Sequence, residues 1–255
     1  MTNSRHCRSR HATLFALMLL MSGADWDHST VWAQSAPAQS PPPIPERASD
    51  MRNYFSQVTR IHEALIRGEL TAIAAPAAEL ATAEPPEAYR QMAVPFVEEI
   101  RRSARRAGTA PNVRSAAAAM VTLLGQCANC HEAAGIFPSP ASPRRPDVGG
   151  FVGHMIDHQR AADDMLQGLM IPSASRWREA ADRLETVTLR PEDLPRDAKL
   201  AAQEKQADAA VHALAESARS AATWRTRANL YVELVATCAS CHSLRPGVWG
   251  PRSLR

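Results

Sequence analysis

Aromatic residues are scarce in this chain, 5% of its 255 positions, and runs of β-branched residues are few. Sheets draw on both, so a β architecture has little support. Abundant Ala, Arg and Glu favour helix instead. Long hydrophobic runs are lacking too: Ala12 to Met21 is apolar over about ten residues, too few to span a bilayer. Net charge is small, +3, and removal of residues 1–33 would take away Arg5, Arg8 and Arg10 against Asp25 and Asp27. No field arises that would hold nucleic acid or an anionic membrane surface. No cysteine is spare for a disulfide: of five, four fall in two short units of like pattern and Cys7 lies near the N-terminus. Finally, no acid–base pair, nucleophile arrangement or substrate pocket is readable, so the chain is not expected to be an enzyme.

The N-terminus reads as an export signal. Arg5, His6, Arg8, Arg10 and His11 give a positive start, Ala12 to Met21 an apolar centre of signal-peptide length, and Val31-Trp32-Ala33 small residues at the −3 and −1 positions. Cleavage after Ala33 and a periplasmic location are the expectation, with an uncleaved anchor as the alternative. Residues 34–49 hold five prolines and read as an extended tether. A second Pro-rich stretch with a Gly149-Gly150 end covers 135–150 and reads as a linker between two domains, 50–134 and 151–245, followed by a tail over 246–255.

Each of those domains carries four helical stretches. The first has Asp50–Arg67, Thr71–Ala81, Glu87–Ala107 and Asn112–Glu132; the second has Phe151–Met170, Ser173–Thr188, Pro195–Ser220 and Thr223–His242. Pro and Gly punctuate the breaks, and Pro95 is expected to kink or split the third stretch. Four such stretches on short connections predict an up-down-up-down bundle. Setting Gly68 opposite Gly168 aligns the first helices at an offset of 100, whereas the fourth stretches align at 111. The order of elements, more than residue identity, suggests an internal duplication.

Near the end of each fourth stretch stands a Cys-x-x-Cys-His unit: Cys127, Cys130 and His131, then Cys238, Cys241 and His242. This is the mark of covalent haem attachment. The apolar positions leading in, Met120, Leu123 and Leu124, and Tyr231, Leu234 and Val235, keep helical spacing that runs into the motif without a shift. Both sulfurs and the imidazole then share one helix face and can meet one macrocycle, the imidazole as an axial ligand of iron. A four-thiolate zinc site would need the two pairs brought together. A redox Cys pair would want a βαβ context, which is missing. Two haem c groups are therefore expected.

A motif at the end of the last of four helices resembles the class II c-type cytochromes, the cytochrome c-prime group, over residues 50–132 and again 151–243. Only thirteen residues, Ser243 to Arg255, come after the second motif, which leaves no room for a class I fold there. The resemblance implies an all-α protein of two tandem four-helix bundles, each with a covalent haem on its last helix. It implies two possible roles. One is a soluble carrier of single electrons between periplasmic or membrane redox proteins. The alternative is a gas-binding protein with one or both irons five-coordinate behind an apolar residue such as Phe55 or Phe151. A haem enzyme or its electron-delivering subunit would need a polar distal pocket with a positioned base. Members of the group pair as dimers; bundles of one chain packed on each other would replace that contact.

The resemblance places the sixth iron ligand, where there is one, on the first helix of each bundle. The candidates are Met51 and His62 in the first half, and His154, Met155 and His158 in the second, with Met51 and His154 the leading pair. A core methionine and a hydrogen-bonded histidine are the ordinary alternatives. No pair aligned at the offset of 100 has a strong ligand in both halves. His212 reads as a surface residue. Arg60 and Arg160 are candidate partners for haem propionates, since guanidinium matches carboxylate geometry; exposed helical charges are the competing reading.

Overall fold

Capping chemistry sets where the helices begin. In the computed structural model, which describes residues 44–139, 145, 147–187 and 189–245, α1 spans Ile44–Arg67, α2 Leu70–Thr82, α3 Arg90–Gly108 and α4 Val113–Ala134. A second set comprises α5 Gly150–Met170, α6 Ala174–Thr186, α7 Ala198–Arg219 and α8 Trp224–Ser243. Short 3-10 turns at Glu87–Tyr89 and Pro191–Asp193 precede α3 and α7. Asn112, Ser173, Asp197 and Thr223 stand at N-caps, their side chains accepting from backbone N–H groups three residues on. Each satisfies a donor that the first turn leaves open. The fold is all-α, with no strand among the described residues, as the composition implied. The signal and tether expected over 1–49, and the tail over 246–255, lie mostly or wholly outside the described residues, as does much of the stretch 140–146.

Glycine ends two helices where only a left-handed residue fits. Gly68 has φ +71 and Gly135 φ +63. After α1, Gly68 N–H donates to Leu65 and Glu69 N–H to Ala64; after α4, Gly135 N–H donates to Glu132 and Ile136 N–H to His131. Both are Schellman closures, which satisfy terminal carbonyls and turn the chain sharply. At Pro95, helix α3 runs on without splitting. Pro95 sits near the start of the helix, where its missing N–H forfeits a single bond to the carbonyl of Gln91.

The helix ends also revise the pairing of the halves. Gly68 lies in the α1–α2 turn, whereas Gly168 lies inside α5, its Cα face against the backbone of Trp177. They are not equivalent. α1 ends at Arg67 and α5 at Met170, and α2 begins at Leu70 and α6 at Ala174, giving offsets of 103 and 104. At 103, Met51 pairs with His154 and Phe55 with His158.

Successive helices pack on each other within each half, α1 on α2 through α3 to α4 and α5 on α6 through α7 to α8. The halves are joined by more than residues 135–150. α4 packs on α8, α1 on α8 and α4 on α5, while α1 touches α4 only lightly. One hydrophobic core therefore runs through both halves, and residues 41–255 form one unit. Its largest fully buried side chains include Trp177, Tyr231, Ile61, Leu65, Met120, Leu123 and Leu124. The ladders that lead into the two motifs are thus core, each aliphatic side chain contributing about 1.5–3 kcal/mol by leaving water. Trp177 adds a polar tie, its indole N–H donating to the Ala218 carbonyl at 2.8 Å.

A buried polar network pins this joint. His62 of α1 is fully buried. Its Nδ1 lies 2.5 Å from the Tyr231 hydroxyl of α8, and its Nε2 lies 3.1 Å from Asp163 Oδ1 of α5. Gln159 donates to the same oxygen at 2.9 Å, and Arg145, from the stretch read as a linker, donates to Oδ2 at 2.8 and 3.1 Å. Burial raises the Asp163 carboxyl pKa, but the hydrogen bonds of His62 and Gln159 and the charge of Arg145 outweigh it, and the net shift is downward.

Candidate functional site

The C-terminal turns of α4 and α8 bring their Cys and His side chains to the surface of the core, each at a separate cavity. At the first, Cys127, Cys130 and His131 line a cavity of about 480 Å³. Across from them stand Met51, Tyr54, Phe55 and Val58 of α1, with Met92, Phe96 and Ile100 of α3 along one wall. The Schellman closure at Gly135 folds Ile136 back into the same lining. The volume lies in the range of small-molecule and cofactor pockets, and the lining is predominantly apolar with a few polar groups. His131 is partly exposed, but its Nδ1 is buried with no hydrogen-bond partner among the described residues. Burial lowers its pKa, which keeps the imidazole neutral and able to ligate a metal.

At the second, Cys238, Cys241 and His242 face Phe151, Met155 and His158 of α5 and Glu204, Asp208 and Val211 of α7. The space between is only about 30 Å³. Just after α8, Arg245 bonds the buried carboxylate of Glu204 and lies 4.2 Å over the ring of Phe151. After α4, Ile136, Pro138 and Ser139 line the first cavity. Burial first, and then the charge of Arg67, lowers the His242 pKa to about 4.

The thiols are poorly suited to redox or thiolate chemistry on their own. Burial, and next the neighbouring Cys130, pushes Cys127 up to about 12; burial and Cys241 do the same for Cys238. Burial raises Cys130, and raises Cys241 to about 11 with the help of Glu204 and Asp208. A reactive Cys-x-x-Cys pair has its pKa lowered. The two pairs also line different cavities, so no four-thiolate metal site is assembled. Among the described residues, the only group of three or more His, Cys, Asp or Glu placed to share one metal is His154, His158 and Asp208.

The candidate distal residues divide. Met51, 37% exposed, lines the first cavity together with His131. His62 does not; both its nitrogens serve the network between the halves. Met155 and His158 line the second cavity, whereas His154 turns its Nε2 to Asp208 Oδ1 at 2.9 Å. Burial, and next the charge of His154, lowers the His158 pKa to about 3. Neither Arg60 nor Arg160 reaches a cavity: Arg60 bonds Gln57 and Glu79, and Arg160 bonds Asp157 and the carbonyl of Arg145. The arginines beside the two sites are Arg52, in the lining of the first, and Arg245, over the second. His212, read as a surface residue, has Nε2 buried 3.8 Å from Asp208 Oδ1. The missed signal was in the sequence: His154 and His158, and Asp208 and His212, are both spaced i, i+4 on helices.

Comparisons of the chain with protein-family models, with curated proteins and with solved structures found no match.

Proposed function

We propose that the chain is an exported dihaem c-type cytochrome that carries single electrons between periplasmic or membrane redox proteins. In this reading it consists of two tandem class II-like four-helix bundles that share a core. The observation that carries it is the first cavity, where two thiols and a neutral imidazole on one helix face front an apolar space of about 480 Å³. Cys127 and Cys130 would hold the macrocycle by thioether bonds and His131 would take one axial position. When bound, haem c supplies a one-electron iron couple whose potential depends on its axial ligands and burial. Phe55, Val58, Phe96 and Ile100 give the site apolar walls, Met51 in the lining would be the sixth-ligand candidate, and Arg52 would be the propionate partner.

The second unit has the same donors at the same helical spacing, with only about 30 Å³ of space before them in this structure, less than a macrocycle fills.

The size of the first cavity and the apolar Phe55 and Val58 beside Met51 favour one second reading, binding of nitric oxide or carbon monoxide at the first iron. Optical and EPR spectra of the purified protein, oxidised and reduced, separate the two. The carrier reading expects a low-spin first iron whose spectrum does not move on adding either gas. It also expects Met51→Ala to make that iron high-spin and gas-reactive. A high-spin iron in the unsubstituted protein that takes up the gas would overturn the carrier role for that haem.

A further inference from the structure

Two pairs of side chains with metal-ligating chemistry meet across the second group of helices, and none of the four belongs to a Cys-x-x-Cys-His unit. His154 and His158 are one turn apart on α5; Asp208 and His212 are one turn apart on α7. Both helices pack against α6 and α8, so they face each other along the diagonal of the group. Interiors of helix bundles are where side chains from facing helices build metal sites. Three imidazole nitrogens converge on one carboxylate oxygen. The Nε2 atoms of His154, His158 and His212 lie 2.9, 3.7 and 3.8 Å from Asp208 Oδ1.

Only the first of those distances is a hydrogen bond. His158 Nε2, His212 Nε2 and His154 Nδ1 are buried with no hydrogen-bond partner among the described residues. His154 and His158 are only 6% and 8% exposed. Buried polar atoms are ordinarily satisfied, and this cluster leaves several that hydrogen bonding does not reach. A cation would take up His158 Nε2 together with Asp208 and His154. Donors at bonds of about 2.0–2.2 Å to one ion stand about 3.3 Å from one another, and the ligand atoms of His154, His158 and Asp208 all lie within 4.8 Å of one another.

We propose that His154, His158 and Asp208 form a site for one divalent first-row transition ion of the zinc type, with His212 beside it and separate from any haem iron. Imidazole with a single carboxylate suits Zn²⁺ and its neighbours rather than Mg²⁺ or Ca²⁺. Binding needs no large movement: His154 releases Asp208 and carries its proton on Nδ1, freeing Nε2 to ligate. With three protein donors one tetrahedral position is left open, and the site ties α5 to α7 beside the second Cys-x-x-Cys-His unit.

The test uses the full mature protein as purified, dialysed against chelator and titrated calorimetrically with Zn²⁺. One equivalent should bind saturably, and the melting temperature should rise on its addition. His158→Gln and Asp208→Asn should each weaken binding at least tenfold while circular dichroism shows the helices intact. Absence of saturable Zn²⁺ binding overturns the proposal, as does equal affinity in both variants. It is also overturned if His158→Gln alters the haem spectrum of a protein that takes up no Zn²⁺, since His158 then belongs to iron. The site does not depend on haem attachment, and a chain without haem that binds Zn²⁺ leaves it standing.

Discussion

Asp163→Ala is expected to destabilise the fold by about 3–5 kcal/mol, the usual loss when one member of a buried, hydrogen-bonded charge pair is removed. The carboxylate is 2% exposed and holds three partners from three parts of the chain: His62 of α1, Gln159 of α5 and Arg145 of the connecting stretch. Without it those groups remain at the joint with their partner gone, and Tyr231 loses the fixed imidazole it bonds. Asp163→Asn, which keeps an acceptor oxygen but not the charge, should fall between. Urea unfolding at pH 7 measures both, and a loss under about 1 kcal/mol for the alanine variant would contradict the role assigned to the network.

The same residue gives a pH dependence with a definite sign. Its pKa in the folded protein lies below its ordinary 3.8. A carboxyl shifted down on folding stabilises the native state above its unfolded pKa, and that contribution fades as pH falls through the folded value. The stability gap between the native protein and Asp163→Ala should therefore be full at pH 7 and shrink below pH 3.8. A gap that widened on acidification would have the wrong sign.

Cys127→Ala combined with Cys130→Ala should remove one covalent haem from the chain and halve the haem absorbance per polypeptide. The helices should survive, because the ladder that packs α4, Met120, Leu123 and Leu124, is fully buried and left unchanged. The change should fall on the spectrum of the first haem. Haem absorbance per chain equal to that of the unsubstituted protein would refute attachment at the first unit.

The all-α class was legible because several helices announce where they begin. Asn112, Ser173 and Thr223, the first residues of three expected stretches, are the N-caps of α4, α6 and α8. The apolar ladders into both motifs were legible for a similar reason, since helical spacing repeats whatever the partner helix is. How the halves meet was not legible. Spacing shows that α1 has an apolar face, but not that this face lies on α8 more than on α4. His62 looked like a possible ligand because a buried histidine and a ligating one have the same sequence; only its contacts with Tyr231 and Asp163 set it in the joint. Arg145 looked like linker because its neighbours are prolines, yet its guanidinium closes the network. Asp208 escaped notice and His212 read as surface because a two-helix cluster is split in sequence by the helix between, and each i, i+4 pair alone reads as an ordinary helix face.

Mass spectrometry of the intact, denatured protein purified from a host that attaches haem c tests the central claim most directly. Covalent haem survives denaturation, so the account predicts a polypeptide heavier by two haems, with peptides containing Cys127–His131 and Cys238–His242 each carrying one. A chain at the bare polypeptide mass would contradict it.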